Sequence, residues 1–211
     1  MSNTRTNVAI AILWLFHLSG IIGMLLGYSE WFLSKTPLNL IICLMLLAWV
    51  GDLLSNRKAV LASIFFVSGM LVEWVGVKFA VPFGEYYYGE SLGTKLDGVP
   101  FLIGGNWAML VIITGCISSR ISGNFLVKVL LGAGLMVLLD LFIEPNAANF
   151  DFWFWENETI PLSNYIAWFV ISALLHCIYQ KNMPKQNFRF CLHLYLAQLA
   201  FFTSFYVYPF L

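Results

Sequence analysis

The stretch FLVKVLLGAGLMVLLDLFI, residues 125–143, decides the fold of this chain. It is 19 residues long, and only Lys128 and Asp140 in it are charged. A helix that crosses a bilayer needs about 20 predominantly apolar residues. The stretch therefore predicts a transmembrane helix that carries an acid, Asp140, near one end.

The composition extends this prediction to the whole chain. Of its 211 residues 60% are hydrophobic and 10% are charged, and the mean hydropathy is +0.81. A soluble domain carries about 25% charged residues. The 11 basic and 11 acidic residues cancel, so we expect no nucleic-acid partner. We predict a single integral membrane domain over residues 1–211, in a multi-pass protein of the cell (inner) membrane.

Six further apolar runs accompany the first. The seven predicted helices are residues 8–27, 38–54, 59–81, 101–119, 125–143, 160–180 and 189–210, of which the second is short. The predicted fold is thus an all-α polytopic membrane helix bundle of about seven transmembrane helices. Cytoplasmic loops are enriched in Lys and Arg. Eight of the 11 basic residues fall on one side if the N-terminus is cytoplasmic, which puts the C-terminus outside.

Two long loops, about residues 82–100 and 144–160, are predicted on the outer side. They contain PFGEYYYG at 82–89 and FDFWFWE at 150–156. Trp and Tyr favour the membrane interface, which explains part of this pattern. Pro and Gly fix turns rather than continue helices, here at Pro82, Gly84, Gly98, Pro100, Pro145 and Pro161. We therefore expect ordered caps folded over the outer mouth of the bundle.

Three acids, Glu73, Asp140 and Glu144, lie within or at the end of apolar runs. Burying an ionised carboxylate in hydrocarbon is costly, so such acids are candidates for a functional site. Asp140 and Glu144 are four residues apart and share one helix face. The alternating direction of the helices brings further polar and aromatic residues to the same layer of the outer half of the membrane, beneath the aromatic loops: Asn106, Trp107, Asn164, Tyr165 and Trp168.

Each of these residues also has a purely structural interpretation. Glu73 could pair with Lys78 or hydrogen-bond another helix, and Glu144 could be a surface acid at a helix end. Asn106 and Asn164 could make ordinary interhelical hydrogen bonds. For the three acids taken together, a common site is the favoured interpretation.

The histidines and cysteines give no metal-ligand spacing. His17 stands alone in a helix, as a satisfied core residue does, and His176 and His193 lie toward the inner side. The cysteines lie in or beside apolar runs without a CxxC pair, so we expect small core hydrophobes at Cys43, Cys116, Cys177 and Cys191. No metal is therefore expected, and no nucleophile or phosphate-loop motif is present.

Close carboxyl groups in a medium of low dielectric cannot all ionise, so at least one is expected to stay protonated. A protonated acid beside an ionised one forms an acid–base pair. The faces of Trp, Tyr and Phe rings stabilise a cation. This combination suits protonation of an apolar alkene, followed by capture of the carbocation by water.

Specific motifs surround these acids. Glu73 is followed by PFGEYYY (82–88), LGTKLDGVP (92–100) and Trp107. The pattern D-x-x-x-E-P-x-A (140–147) is followed by FWFW (152–155) and PLSNYIAW (161–168). Together these pieces, a core region of about residues 73–168, resemble the carotenoid-biosynthesis membrane protein family. That family contains the CruF-type carotenoid 1,2-hydratases and the bisanhydrobacterioruberin hydratases of haloarchaea.

The resemblance implies a hydratase that adds water to the terminal C1=C2 double bond of an acyclic carotenoid end, of the lycopene or γ-carotene type. It implies no cofactor, and a carotenoid substrate taken from the lipid phase. Membrane lipids and other carotenoid-pathway enzymes are the remaining expected partners. The expected catalytic residues are Asp140, Glu73 and Glu144. Asp140 is the favoured proton donor because it lies deeper than Glu144, and Glu73 is its rival. The expected substrate-binding residues are Tyr86, Tyr88, Asn106, Trp107, Trp153, Trp155, Asn164 and Trp168.

Other classes of function remain as alternatives. A seven-helix retinal protein needs a Lys in its last helix, and residues 190–211 contain none. A proton-coupled transporter would use intramembrane acids, but no repeated halves are visible. A non-catalytic carotenoid-binding protein would need the aromatic walls without the acids.

Overall fold

The structure, a computed structural model, describes residues 3–208. The helices are α1 Asn3–Leu25, α2 Ser29–Leu33, α3 Thr36–Gly51, α4 Asn56–Phe79, α5 Phe101–Ile121, α6 Phe125–Ala147, α7 Leu162–Asn182 and α8 Phe188–Val207. The strands are β1 Tyr86–Tyr88, β2 Lys95–Leu96, β3 Val99–Pro100 and β4 Trp153–Trp155. The five-residue α2 was not predicted from the sequence.

Each of the seven predicted membrane helices corresponds to a helix of the structure. Among the described residues, six helices are long and apolar enough to cross a membrane, and the exception is the 16-residue α3. At about 1.5 Å per residue, α3 is about 24 Å long, against a hydrocarbon core of about 30 Å. The predicted polytopic all-α bundle is confirmed. Residues 209–210 of the last predicted span lie outside the described residues, and the orientation of the termini stays a prediction.

Helix α5 forms the centre of the bundle. In its membrane-length window 83% of the residues are buried, against 28–39% in the other five candidate spans. It packs against α3, α4, α6, α7 and α8, while α1 packs at the periphery on α3 and α8. A helix surrounded in this way has no solvent face, which explains why most residues from 103 to 118 are apolar or small.

Helices α4 and α5 pack closely at Gly69. A Cβ atom at this position would lie 2.5 Å from the Cβ of Trp107, which is too close for any real contact. Small residues permit such close approach between membrane helices. Gly69 therefore allows Trp107 to pack against α4 beside Glu73, which lies one turn further along.

The two aromatic loops join into one cap. Strand β1, after α4, pairs antiparallel with β4, after α6, in the register Tyr86↔Trp155 and Tyr88↔Trp153. The carboxylate of Asp151 fastens the cap by accepting the backbone N–H groups of residues 90 and 91, each at 2.9 Å. The prediction that these loops form ordered caps is confirmed.

Helix α6 extends further than predicted. From the sequence we expected a turn at Pro145. The helix instead continues through Pro145 to residue 147. The side-chain amide of Asn146 donates to the carbonyls of Phe142 (2.8 Å) and Phe202 (3.2 Å), which holds this last turn against α8. The predicted turn is therefore wrong, and Glu144 lies within the helix.

Candidate active site

Glu73, on α4, accepts three hydrogen bonds. The hydroxyl groups of Tyr86 and Tyr88 donate to Oε2 at 2.5 and 2.7 Å, and Nε1 of Trp107 donates to Oε1 at 2.8 Å. Glu73 is only 4% exposed, so these donors replace water around its carboxyl group. Both oxygens act purely as acceptors, which is the hydrogen-bonding pattern of a carboxylate.

Strand β1 supplies two of these donors because alternate residues of a strand point to opposite faces. Tyr86 and Tyr88 are buried, whereas Tyr87 between them is 51% exposed and stacks on Phe154. Burial, together with the neighbouring Glu73 charge, raises the pKa of Tyr86 and of Tyr88. Both phenols therefore stay protonated and keep donating to Glu73.

The pairing of Glu73 with Lys78 that the sequence left open is wrong. Lys78, in the last turn of α4, forms an ion pair with Asp97 at 2.8 Å. Nε1 of Trp74 donates to the same Asp97 carboxylate at 2.7 Å. The hydrogen bonds from Lys78 and Trp74 lower the pKa of the exposed Asp97 carboxyl. Lys78 therefore binds a carboxylate of the cap and not Glu73. The groups that donate to Glu73 are neutral.

A second cluster joins α6 to α7. Nδ2 of Asn164 donates to Oδ2 of Asp140 at 3.1 Å and to Oε1 of Glu144 at 2.8 Å. An amide nitrogen carries two hydrogens, so each acid receives one of them. The interhelical hydrogen bonding considered for Asn164 is present, and its acceptors are the two acids themselves. The shared helix face predicted for Asp140 and Glu144 is confirmed.

Glu144 is buried, so its interpretation as a surface acid is wrong. It is 5% exposed, and its Oε2 accepts hydrogen bonds from Nε1 of Trp153 at 3.1 Å and of Trp155 at 2.8 Å. Both indoles come from β4. The two paired strands of the cap thus each bind one acid. Strand β1 donates hydrogen bonds to Glu73, and strand β4 donates hydrogen bonds to Glu144.

Asp140 has the fewest hydrogen-bond donors of the three acids. It is 1% exposed, and its Oδ1 is buried without a hydrogen-bond partner among the described residues. Glu73 and Glu144 each accept three hydrogen bonds, and Asp140 accepts one. Buried polar atoms normally have partners, so this oxygen is the chemically exceptional atom of the site.

Glu73 and Asp140 line a cavity of about 30 Å³, which we call the acid chamber. Its size is enough for one or two water molecules. Glu144 lies behind the indoles of its wall, and the other ten predicted site residues line it. The lining residues are Glu73, Phe83, Tyr86, Tyr88, Ile103, Asn106, Trp107, Asp140, Ile143, Trp153, Trp155, Asn164 and Trp168.

Aromatic rings form much of the chamber wall. Trp107 and Trp168 stack with their ring centroids 4.2 Å apart and an interplanar angle of 10°. On the cap side, the ring centroids of Tyr86 and Trp155 are 5.2 Å apart. The negative faces of such rings attract a cation that is positioned over them.

Asn106 plays no part in these hydrogen bonds. Its side chain makes no hydrogen bond to the residues that the structure describes, so the interhelical bond considered for it is wrong. It lines the acid chamber and also a larger neighbouring cavity. A polar group in this position is free to bind water or to orient a ligand.

Three residues of the chamber wall were missed by sequence analysis. Ile143 lies three residues after Asp140, and Ile103 three before Asn106, so helical spacing could have revealed both. Phe83 lies inside the quoted PFGEYYY motif and is 1% exposed. Its carbonyl accepts the Ser163 hydroxyl at 2.8 Å, which links the cap to α7.

The histidines lie outside the chamber. Nδ1 of His17 is 2.9 Å from the carbonyl oxygen of Leu13, His176 bonds to Thr114, and His193 accepts the indole N–H of Trp14. The four cysteines are free thiols. Within residues 3–208, no three His, Cys, Asp or Glu side chains are grouped as metal ligands.

Comparisons with known proteins identify a relative and a family of this chain. A bisanhydrobacterioruberin hydratase from Haloarcula japonica is 26% identical over 154 residues, which cover 69% of this chain and 53% of the relative. The chain thus spans about half the length of that curated relative. No solved structure matches the chain. Residues 35–210, which include the whole acid chamber, match the family described as carotenoid biosynthesis protein. The chain is therefore a member of the carotenoid biosynthesis protein family.

Proposed function

We propose that this protein is a carotenoid hydratase that adds water to the terminal C1=C2 double bond of an acyclic carotenoid end. The observation that carries the proposal is the acid chamber: a small aromatic cavity lined by the buried acids Glu73 and Asp140, with the buried Glu144 behind its wall and one oxygen of Asp140 unpartnered. Family membership and the similarity to a hydratase support the same reaction class.

Asp140 is the proton donor in this proposal. The donors around Glu73 and Glu144 leave both as acceptors, whereas Oδ1 of Asp140 has room for a hydrogen atom. The O–H of Asp140 delivers its proton to C2 of the substrate. The π electrons form the new C2–H bond, and the positive charge remains on the tertiary carbon C1.

The surrounding residues stabilise this cation. The stacked rings of Trp107 and Trp168 offer π faces, and the Glu73 carboxylate supplies an opposite charge held in place by three donors. A preorganised charge in a site without bulk water stabilises a transition state better than mobile solvent does. Four residues of the cap hold Glu73 and Glu144 in place and close the cap side of the substrate site: Tyr86, Tyr88, Trp153 and Trp155.

Water completes the reaction. A water molecule in the chamber, oriented by Asn106 or Asn164, forms a C1–O bond and releases one proton. The Asp140–Glu144 pair takes up that proton, so it regains the proton that it gave to C2. The product is a tertiary alcohol that differs from the substrate by one H and one OH, and no cofactor is consumed.

The substrate enters from the lipid phase in this proposal, because a long hydrocarbon is hardly soluble in water. Membrane lipids and other enzymes of carotenoid synthesis are the proposed neighbours. The proposed location is the cell (inner) membrane.

The test is to incubate membranes that contain the protein with lycopene in water enriched in ¹⁸O, without added cofactors. We expect a product heavier by one labelled water per reacting end, with the label in a tertiary hydroxyl group. Membranes from the same host without the protein are the control. Binding of lycopene that stays unchanged would instead support the non-catalytic carotenoid-binding alternative. If lycopene is neither bound nor converted, the result would favour a transporter.

A further inference from the structure

A second cavity, about ten times larger than the acid chamber, lies beside it. Its volume is about 310 Å³, and it lies between α1, α3, α5 and α8 beneath the cap. Most of its wall is apolar, and its lining includes Met24, Leu40, Phe150, Phe201 and Phe202. We call it the long cavity. Its size falls at the lower end of the range of ligand-binding pockets, about 300–1,000 Å³.

The long cavity and the acid chamber share a wall. Ile103, Asn106, Ile143 and Trp153 line both of them. Ile103 and Asn106 lie on one face of α5, and Ile143 is three residues from Asp140 on α6. The two cavities are therefore neighbours separated by single side chains, and we call these four residues the partition.

The acid chamber alone is too small for the proposed substrate. Its volume of about 30 Å³ suits water, whereas the long polyene chain behind the reacting end group needs far more space. The polyene chain of the substrate must therefore lie in a neighbouring space that is apolar and continuous with the chamber. The long cavity fits both requirements.

The long cavity also reaches the outer surface of the molecule. Among its lining residues, Trp31 is 59% exposed, Leu38 is 49% exposed and Phe16 is 36% exposed. All three are exposed apolar side chains, on α2, α3 and α1 respectively, of the kind that favours contact with lipid. A chain longer than the cavity could therefore extend through this opening into the bilayer.

We propose that the long cavity binds the polyene chain of a linear isoprenoid, so that its end group crosses the partition and meets Asp140. This inference rests on the proposed function, since it assigns the binding site of the same substrate. It adds that the protein recognises the chain separately from the reacting double bond. Long isoprenoids should then be preferred over short olefins that carry the same end.

The first experiment fills the long cavity with Trp at two places, each with a matched control. Leu40→Trp on α3 projects into the cavity, whereas Ile41→Trp, next to it, lies on the 42%-exposed outer face. Met24→Trp on α1 is the second filling variant, and Leu25→Trp, at a 51%-exposed position, is its control. Thermal unfolding in detergent identifies the filling variant that folds as its control does.

Two substrates distinguish recognition of the polyene chain from recognition of the reacting double bond. Lycopene carries both, and 2-methyl-2-heptene carries the same trisubstituted double bond with a short tail. We expect the filling variants to lose tenfold or more of kcat/KM for lycopene and to stay within twofold of their controls for 2-methyl-2-heptene. Equal rates of lycopene hydration in filling and control variants would overturn the inference, as would an equal loss for both substrates.

A binding measurement keeps this test separate from the proposed function. Proteins that also carry Asp140→Asn are purified from a lycopene-producing host, and the bound pigment is measured by absorbance. Pigment held by the control variants and lost at least tenfold in the filling variants supports the long cavity even if the wild type hydrates neither substrate. Pigment that is held equally, or held by none of the proteins, overturns it.

Discussion

Asp140 is the residue on which the proposed chemistry depends most. Its substitution Asp140→Asn removes the ionisable proton and keeps nearly the same shape. General acid catalysis typically contributes 10²–10⁴-fold, so we expect a fall in the lycopene hydration rate of about that size. Product formation is measured in membranes with matched protein levels. Asp97→Asn, which changes an exposed carboxylate of the cap, should leave the rate unchanged.

A rate for Asp140→Asn close to that of the wild type would remove this residue from the mechanism. Glu73→Gln then becomes the informative variant, because Glu73 is the rival proton donor. The two variants together decide which of these carboxyl groups delivers the proton.

Tyr87 and Tyr88 provide a matched pair for the hydrogen bonds to Glu73. Tyr88→Phe removes a donor from a buried carboxyl group and should lower the free energy of unfolding by about 1–3 kcal/mol. Tyr87→Phe makes the same chemical change at an exposed position and should shift it by less than about 0.5 kcal/mol. Unfolding in mixed detergent measures both values. Equal effects would mean that the bond to Glu73 adds no stability.

The same tyrosine makes stability depend on pH in alkaline solution. An ordinary tyrosine has a pKa near 10.0, and the pKa of Tyr88 is raised in the folded protein. Above about pH 10 the unfolded chain therefore loses this proton before the folded protein does. The free energy of unfolding should fall there by about 1.4 kcal/mol per pH unit for this phenol, and it should not change on this account at lower pH.

Unfolding measured between about pH 9 and pH 11 tests this dependence. Tyr88→Phe should show a slope that is smaller by one proton than that of the wild type. Identical slopes for the two proteins would contradict the burial of this phenol beside Glu73.

Part of the candidate site could be predicted at the level of residues. The three acids were recognisable because the sequence places them among apolar residues, where burial of charge is costly. The unpartnered oxygen of Asp140 was not predictable, because it depends on where the Asn164 amide directs its two hydrogens. Depth alone favoured Asp140 over Glu144, whereas the contacts distinguish all three acids by their donors.

The helices illustrate what a local pattern can predict about elements. Their existence follows from the length of the apolar runs, and all seven predicted helices are present. The end of α6 was missed because Pro145 normally marks a turn, and the compensating contacts of Asn146 reach a carbonyl on α8. The pairing of β1 with β4 was missed because no local periodicity reports a contact between distant segments.

Gly69 allows a prediction about the contact between α4 and α5. Gly69→Ala would push against the Cβ of Trp107, and such overpacking costs about 1–3 kcal/mol. It should also draw the indole away from Glu73 and slow hydration. Gly134→Ala on α6 is the control, because nothing lies within 4 Å of its Cβ position, and it should be neutral or stabilising by up to about 1 kcal/mol.

Thermal unfolding and hydration rates of the two glycine variants are the measurements. A Gly69→Ala protein as stable and active as Gly134→Ala would show that the two helices can separate without loss.

For the whole molecule, the orientation in the membrane is the open prediction. Positive charge favours a cytoplasmic N-terminus and an outer cap. Glu156→Cys in the cap should react with a membrane-impermeant maleimide in intact cells, whereas Lys185→Cys, between α7 and α8, should react only after lysis. The wild type controls for the native cysteines, three of which are buried. The reverse labelling pattern would invert the assignment.

The long cavity shows what sequence could not supply about the whole molecule. Its wall comes from segments far apart in the chain, and its volume depends on how α1 and α3 lean against α5 and α8. Apolar lining residues have the same composition as residues packed against one another. Nothing in their spacing distinguishes a lined space from a filled one.

The short helix α3 affects the lipid around the protein. It is about 6 Å shorter than a typical hydrocarbon core, and local thinning is one way in which a bilayer accommodates such a mismatch. We expect the thinned region next to Leu38, where the long cavity opens. Acyl chains in a thinned region pack less well than those of the surrounding membrane, so we expect a stiff rod-shaped guest to displace them there at a lower energetic cost than elsewhere on the perimeter.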